Sequence, residues 1–167
     1  MVLPVAAAIF LILLWYLHNR GRLSVPRAAV ALALCVYAAG VVANTIFPIF
    51  LNKPAGSALW TVYLVPLADY EVRDAVMNIL VFVPVGILVP LLVAKASWGR
   101  VLAVAAVFSL AIELAQLVTG NLLGGGHVAD LNDLLFNIAG AVLGFGLFST
   151  LSRVPVAAVL INRFCWR

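Results

Sequence analysis

The stretch AVMNILVFVPVGILVPLLVA, residues 75–94, decides the fold, because it contains no Asp, Glu, Lys or Arg. A helix that crosses the hydrocarbon core of a bilayer, about 30 Å thick, needs roughly 17–25 predominantly apolar residues. Residues 1–19, 28–52 and 134–152 are equally free of charge, and residues 101–119 are interrupted only by Glu113. The sequence therefore predicts about five transmembrane helices.

The composition excludes a soluble protein. The 167 residues are 66% hydrophobic and 10% charged, whereas soluble domains carry about 25% charged residues. Strict alternation of apolar and polar residues is absent, which excludes a membrane barrel. We expect an all-α polytopic membrane protein, a single membrane domain over residues 1–167 of a multi-pass cell-membrane protein, with two N-terminal spans within residues 1–47.

The first apolar stretch is followed, not preceded, by basic residues, so we do not expect a cleavable signal peptide. Cys35 lies in mid-span and Cys165 in the C-terminal tail, which excludes a disulfide framework. The uncharged stretch Pro54–Ala68, with Trp60 and Tyr63, predicts an interfacial or re-entrant segment. The apolar tail after Arg153 predicts a segment on the inner leaflet.

The distribution of Lys and Arg predicts the orientation, because cytoplasmic loops carry the excess of positive charge. With five spans, one side receives eight of the ten basic residues: Arg20, Arg22, Arg27, Lys95, Arg100, Arg153, Arg163 and Arg167. The other side receives Lys53 and Arg73 and all six acidic residues. The N-terminus is therefore predicted outside and the C-terminus in the cytoplasm.

Polar residues inside membrane spans are energetically expensive, so they indicate candidate functional sites. Ser109, Glu113 and Gln116 share one face of the fourth span, since spacings of four and three residues return to the same side of a helix. At 1.5 Å per residue, Glu113 lies about 20 Å from Arg100, in the outer third of the bilayer. The alternative to a functional role is that Glu113 is protonated and hydrogen-bonded and has a purely structural role.

The fifth span carries a second polar stripe. Asn137, Gly140 and Gly144 follow Asp133 at four, seven and eleven residues, and the glycines form a Gly-x-x-x-Gly pattern that lets another helix approach closely. Asp130 and Asp133 also resemble a capping box at a helix N-terminus. Capping explains the two acids but leaves Asn137 unexplained.

The third span begins with Arg73 and Asp74, carries Asn78 one turn deeper, and includes Pro84. Pro84 predicts either a kink that could open a pocket or helix packing alone, because prolines are common in membrane helices. By helix rise, the polar residues of the three spans lie within roughly 10 Å of the outer ends. We therefore predict one ligand-binding cluster, formed by Arg73, Asp74, Asn78, Glu113, Gln116, Asp130, Asp133 and Asn137.

The same residues resemble the VanZ-like membrane family. The resemblance covers residues 63–148 and rests on three blocks in order: Arg73-Asp74 through Asn78 with Phe82-Val83-Pro84-Val85-Gly86, then Glu113-x-x-Gln116, then Asp130-Leu131-Asn132-Asp133 with Asn137, Gly140 and Gly144. This family is associated with resistance to teicoplanin and related lipid-tailed glycopeptides. The resemblance thus implies a cell-envelope role for this chain.

The chain departs from the family pattern in two places. It reads Tyr63-Leu64-Val65-Pro66-Leu67 where Asn-Leu-Ile-Pro-Phe is usual, and His127 stands where an Arg is common. Both departures leave open whether this chain confers antibiotic resistance. His127 follows three glycines in an outer loop and is either a titrating group or ligand near neutral pH or an ordinary exposed histidine.

Two function classes remain. The first is recognition, in which an outer-leaflet cleft binds a membrane lipid or lipid-tailed ligand, with no cofactor and no metal. The second is a metal-dependent enzyme acting on a lipid-linked envelope intermediate, in which Asp74, Glu113, Asp130 and Asp133 offer oxygen ligands suited to Mg²⁺ or Ca²⁺. The Asp-x-x-Asp spacing is a weak motif, and no Ser, Cys or His arrangement of the kind that nucleophilic catalysis requires lies nearby. Transport lacks polar groups across the midplane, and the dispersed basic residues do not predict nucleic-acid binding.

Overall fold

The computed structural model describes residues 2–46, 62–63, 65–67, 70–122 and 129–166. Its elements are, in chain order, α1 (Val2–Asn19), α2 (Val25–Ile46), β1 (Val62–Tyr63), α3 (Val72–Leu92), α4 (Trp98–Leu122), β2 (Ala129–Asp130), α5 (Leu131–Leu151) and α6 (Pro155–Phe164). Helices α1 to α5 are each long and apolar enough to cross a membrane. The predicted all-α, multi-pass architecture with five spans is therefore confirmed.

Helix α3 begins at Val72, three residues before the uncharged stretch 75–94 that predicts it. Its first turn contains Arg73 and Asp74, and it continues without a break through Pro84 and Pro90 to Leu92. Helix α2 ends at Ile46 among the described residues, and the remainder of the stretch predicted as the second span lies outside them. The bounds of the other spans agree with the uncharged stretches to within a few residues.

Helices α3 and α5 form the most extensive helix pair of the fold. A Cβ atom added at Gly140 would overlap the backbone of Ile79, and one at Gly144 would overlap the backbone of Val83. A Cβ at Gly86 would in turn overlap the backbone of α5 at Ala141. The predicted glycine stripe of α5 thus permits backbone contact, and its partner helix is α3.

Large apolar side chains fill the space between this pair and α4. Phe82, Val85, Val101 and Phe145 are buried there. Trp98, at the start of α4, packs its ring edge-on against Phe145, with ring centroids 4.6 Å apart. Helices α3, α4 and α5 consequently form the packed core, while α1 contacts mainly α2.

One end of the bundle, here the basic end, holds the C-termini of α3 and α5 and the connection between α1 and α2. Arg22 of that connection and Arg27 in the first turn of α2 bind the C-terminal tail. Arg22 Nη1 donates to the carbonyl oxygen of Trp166 at 2.8 Å, and Arg27 Nε donates to that of Cys165 at 2.8 Å. The backbone N–H of Trp166 donates to the carbonyl of Leu91 at 2.9 Å. The tail is therefore fastened to the bundle, and its placement on the inner leaflet stays a prediction.

The opposite end, here the acidic end, holds the N-termini of α3 and α5 and the C-terminus of α4. There β1 pairs with β2 in parallel, with Val62 opposite Ala129 and Tyr63 opposite Asp130. This short pairing fastens the connection before α3 to the start of α5. Most of Pro54–Ala68, the predicted interfacial segment, lies outside the described residues.

Candidate functional site: a polar cluster at the acidic end

Polar side chains from α3, α4 and the start of α5 come together at the acidic end. We call this group the polar cluster. Its members are Asn78, Ser109, Glu113, Gln116, Asp130, Asn132, Asp133 and Asn137. The convergence of three helices predicted from depth and helical phase is present in the structure.

Asn78 joins α3 to the first turn of α5. Its Nδ2 donates a hydrogen bond to Oδ1 of Asp133 at 2.5 Å. Both side chains are half-buried. A hydrogen bond to a carboxylate is stronger than one between neutral groups, so this contact fixes the register of the glycine-packed helix pair at its polar end.

Asn137, one turn deeper on α5, binds α4. Its Nδ2 donates to the hydroxyl oxygen of Ser109 at 2.9 Å. Ser109 is 0% exposed and Asn137 is 4% exposed. The hydrogen bond to Ser109 therefore explains why a polar residue, Asn137, lies within the span, which helix capping did not explain.

Glu113 binds the residue that begins α5. Its Oε2 accepts a hydrogen bond from the backbone N–H of Asp130 at 3.0 Å, and its side chain is 6% exposed. Asp130 is the N-cap of α5, and its Oδ1 accepts from the backbone N–H of Asn132 at 2.8 Å. The predicted capping role of Asp130 is confirmed, and Glu113 holds the cap in place.

Asn132 belongs to the cluster, although it is not among the site residues predicted from the sequence. It is 2% exposed, and its Oδ1 accepts from the backbone N–H of Leu67 at 2.6 Å. Leu67 has a φ of 56°, a left-handed conformation that is uncommon for a residue with a side chain. An amide between two acids at a helix start was the available signal, but its partner lies 65 residues away in sequence.

Gln116 lies one turn beyond Glu113, toward the end of the bundle. Its Oε1 is buried and has no hydrogen-bond partner among the described residues. Leaving a buried polar atom unpaired costs about 1–3 kcal/mol. Packing among the described residues therefore does not account for this oxygen.

Arg73 and Asp74 do not join the cluster. Both side chains are exposed on the first turn of α3, and within the described part of the chain neither makes a hydrogen bond or ion pair with a cluster member. His127, the other candidate on this side, lies outside the described residues. Hydrogen bonds thus bring five of the eight predicted site residues into the cluster, namely Asn78, Glu113, Asp130, Asp133 and Asn137. Gln116 belongs to it by its position one turn from Glu113 on α4.

No group of three or more His, Cys, Asp or Glu side chains that could hold a metal ion occurs within the ranges that the structure describes. The acceptors of the cluster are the amide oxygen of Gln116 and the half-buried carboxylates of Asp130 and Asp133. One Asp130 oxygen already accepts from Asn132 and one Asp133 oxygen from Asn78. Such a set suits a ligand that donates hydrogen bonds.

Comparison with known proteins bears on the identity of this bundle. No curated protein and no solved structure matches the chain significantly. The VanZ/LLP1 family model matches residues 7–152, so the match extends from the three motif-bearing helices into α1 and α2. Because that range covers most of the 167 residues, the chain belongs to the VanZ/LLP1 family.

Proposed function

We propose that this protein recognises, at its acidic end, the head group of a lipid-tailed glycopeptide antibiotic or of a lipid-linked cell-envelope component. The observation that carries the proposal is the buried Oε1 of Gln116, which has no hydrogen-bond partner among the described residues and lies one helical turn from Glu113. Glycopeptides and envelope sugars carry N–H and O–H donors, which such acceptors bind. In this role the protein would confer teicoplanin-type resistance by binding the drug or its target.

The apolar tail of such a ligand has a surface to lie on. Next to the cluster, Met77 and Leu80 of α3 and Leu110 and Leu114 of α4 are large apolar side chains exposed on the helix surfaces. They would contact lipid in the half of the bilayer that holds the cluster. The predicted orientation, with the basic end in the cytoplasm, assigns that half to the outer leaflet.

A thermal-shift experiment on the detergent-purified protein tests this proposal. Teicoplanin, vancomycin, an isoprenyl phosphate lipid and Mg²⁺ or Ca²⁺ are added separately. A ligand that binds the folded state increases the free energy of unfolding, by about 2.7 kcal/mol at 100 times its Kd. The melting temperature rises accordingly. We expect teicoplanin or the isoprenyl lipid to do so, and vancomycin, which has no lipid tail, to do so less.

Gln116→Leu separates binding from folding. It removes an unpaired buried acceptor, so the ligand-free protein should be as stable as the wild type or more stable, while the ligand shift disappears. Glu113→Gln should weaken the shift and also lower the ligand-free stability. Thr150→Val serves as the matched control, because its hydroxyl bonds within α5 at the other end and the variant should retain the full shift.

Three outcomes would overturn the proposal. No shift with any lipid-tailed compound would leave the cluster a structural element only. A full shift in Gln116→Leu would show that the Gln116 amide does not bind the ligand. A shift with Mg²⁺ or Ca²⁺ alone, reversed by a chelator and lost in Asp133→Asn, would favour the metal-dependent enzyme instead.

A further inference from the structure

The basic end contains a pocket that the polar cluster does not involve. It encloses about 410 Å³ between the end of α3, the end of α5 and α6. Its polar lining includes Lys95, Ser149 and Ser152, and its apolar lining includes Phe148 and Ile161. Volumes of about 300–1,000 Å³ are typical of ligand sites.

Lys95 stands at the mouth of this pocket in a constrained backbone. Its φ is 56°, in the left-handed region that few residues with a side chain adopt. Arg100 Nη1 donates to the carbonyl oxygens of Ala94 at 3.0 Å and Lys95 at 2.8 Å, which stabilises the turn. The Lys95 side chain is exposed and its ammonium group has no partner among the described residues. The turn therefore holds a cation at the pocket mouth.

Ser152 supplies an unsatisfied donor to the same pocket. Its Oγ is buried and has no hydrogen-bond partner in the described part of the chain, although Ser152 ends α5 in a well-formed cap. An oxyanion beside Lys95 would accept a hydrogen bond from this hydroxyl. A phosphate group matches a lysine cation combined with a hydroxyl donor.

An entirely apolar groove adjoins the pocket. It encloses about 150 Å³, and its lining includes Leu91 of α3, Leu147 of α5 and Phe164 of α6. Phe148 and Ile161 line both spaces, so the polar pocket and the apolar groove are adjacent. A ligand that fills both has an anionic head group and a hydrocarbon chain.

We propose that Lys95 and Ser152 bind the phosphate of an anionic phospholipid whose acyl chain lies in the groove lined by Leu91, Leu147 and Phe164. The surrounding charge favours an anionic lipid, because the same end carries Arg153 and Arg163, and basic residues near a membrane surface attract such lipids. The site is independent of the proposed function at the acidic end.

Native mass spectrometry of the full chain released from detergent tests the assignment. Phosphatidylglycerol, phosphatidylcholine and inorganic phosphate are titrated separately. We expect phosphatidylglycerol to bind most tightly and inorganic phosphate to bind weakly, because only a lipid fills the groove. Lys95→Gln should weaken phosphatidylglycerol binding about fivefold, the ratio that about 1 kcal/mol per basic residue corresponds to, and Ser152→Ala should weaken it as well.

Arg20→Gln is the matched control, since it removes one charge from the same end at a side chain that packs over Tyr16 and does not line the pocket. It should leave phosphatidylglycerol affinity unchanged. If Lys95→Gln does not fold, Ser152→Ala and Ile161→Trp, which fills the junction of pocket and groove, still test the site. Equal losses in Arg20→Gln and Lys95→Gln would mean general electrostatic attraction and overturn the site. Equal binding of phosphate and lipid would overturn the lipid assignment.

Discussion

The two ends of the bundle use polar groups in different ways. At the acidic end, polar side chains bind one another between helices, as Asn78 binds Asp133 and Asn137 binds Ser109. At the basic end, arginines bind backbone carbonyls, as Arg27 binds Cys165 and Arg100 binds Lys95. The acidic end thus sets how spans pack, whereas the basic end fastens loops and tail to spans that are already packed. We expect substitutions at the two ends to differ in magnitude accordingly.

The largest effect on stability should come from the helix pair that carries the polar cluster. Gly140→Ala places a methyl group against the backbone of Ile79, and such overpacking costs about 1–3 kcal/mol. We expect a clearly lower melting temperature, measured by loss of the monodisperse peak in size-exclusion chromatography after heating. Gly40→Ala is the control, because a Cβ there meets nothing within 4 Å. Equal melting temperatures would contradict the close α3–α5 approach.

A smaller effect is expected from the buried bond between α4 and α5. Ser109→Ala leaves the Asn137 amide without this partner, at a small cost, because polar groups in a membrane also find partners in the unfolded state. A double-mutant cycle with Asn137→Leu isolates the pairwise interaction, which averages about 0.6 kcal/mol for such bonds in membrane proteins. Strict additivity of the two substitutions in the free energy of unfolding would show that the bond contributes nothing.

At the basic end, Arg27→Met should release the tail without unfolding the bundle. Cys165 is 1% exposed, and the variant removes the bond from Arg27 to its carbonyl. We expect faster maleimide labelling of Cys165 in a Cys35→Ser background, with little change in melting temperature. Arg153→Gln, an exposed arginine next to the tail helix, should leave the labelling rate unchanged. A labelling rate in Arg27→Met equal to that of the parent would refute the fastening role.

The smallest effect should come from the charges beside the cluster. Arg73→Gln and Asp74→Asn alter exposed side chains, and such substitutions usually change stability by less than about 0.5 kcal/mol. We expect unchanged melting temperatures for the ligand-free protein. A marked loss of melting temperature would mean that these two side chains contribute to the folded cluster. The two ends of the bundle would then differ less than described above.

Local sequence features predicted the spans and most of the polar cluster. Hydropathy located α1 to α5, and helical spacing placed Glu113 with Gln116 and Asp133 with Asn137 on shared faces. Contacts between distant segments were not predictable, since no local pattern encodes them. Asn132 bonds Leu67 across 65 residues, and Arg27 bonds Cys165 across 138.

The pocket at the basic end could not be predicted from the sequence either, because it also depends on contacts between distant segments. In the sequence, Lys95 lies in a loop and Ser152 is the last residue of a predicted span. The distribution of basic residues across the membrane already accounted for Lys95. Only the placement of α6 beside α3 and α5 creates the pocket and leaves the Ser152 hydroxyl buried. The sequence alone therefore indicated the acidic end as a site and gave no signal for the other.

The pairing of α3 with α5 also dictates an order of events during synthesis. These helices are not neighbours in the chain, because α4 lies between them. Until the ribosome has produced α5, Gly86 has no partner backbone and the Asn78 amide has no Asp133 carboxylate. The third helix is therefore synthesised before its partner, and a chain that ends before α5 would leave Gly86 and Asn78 without the contacts that they make in the folded bundle.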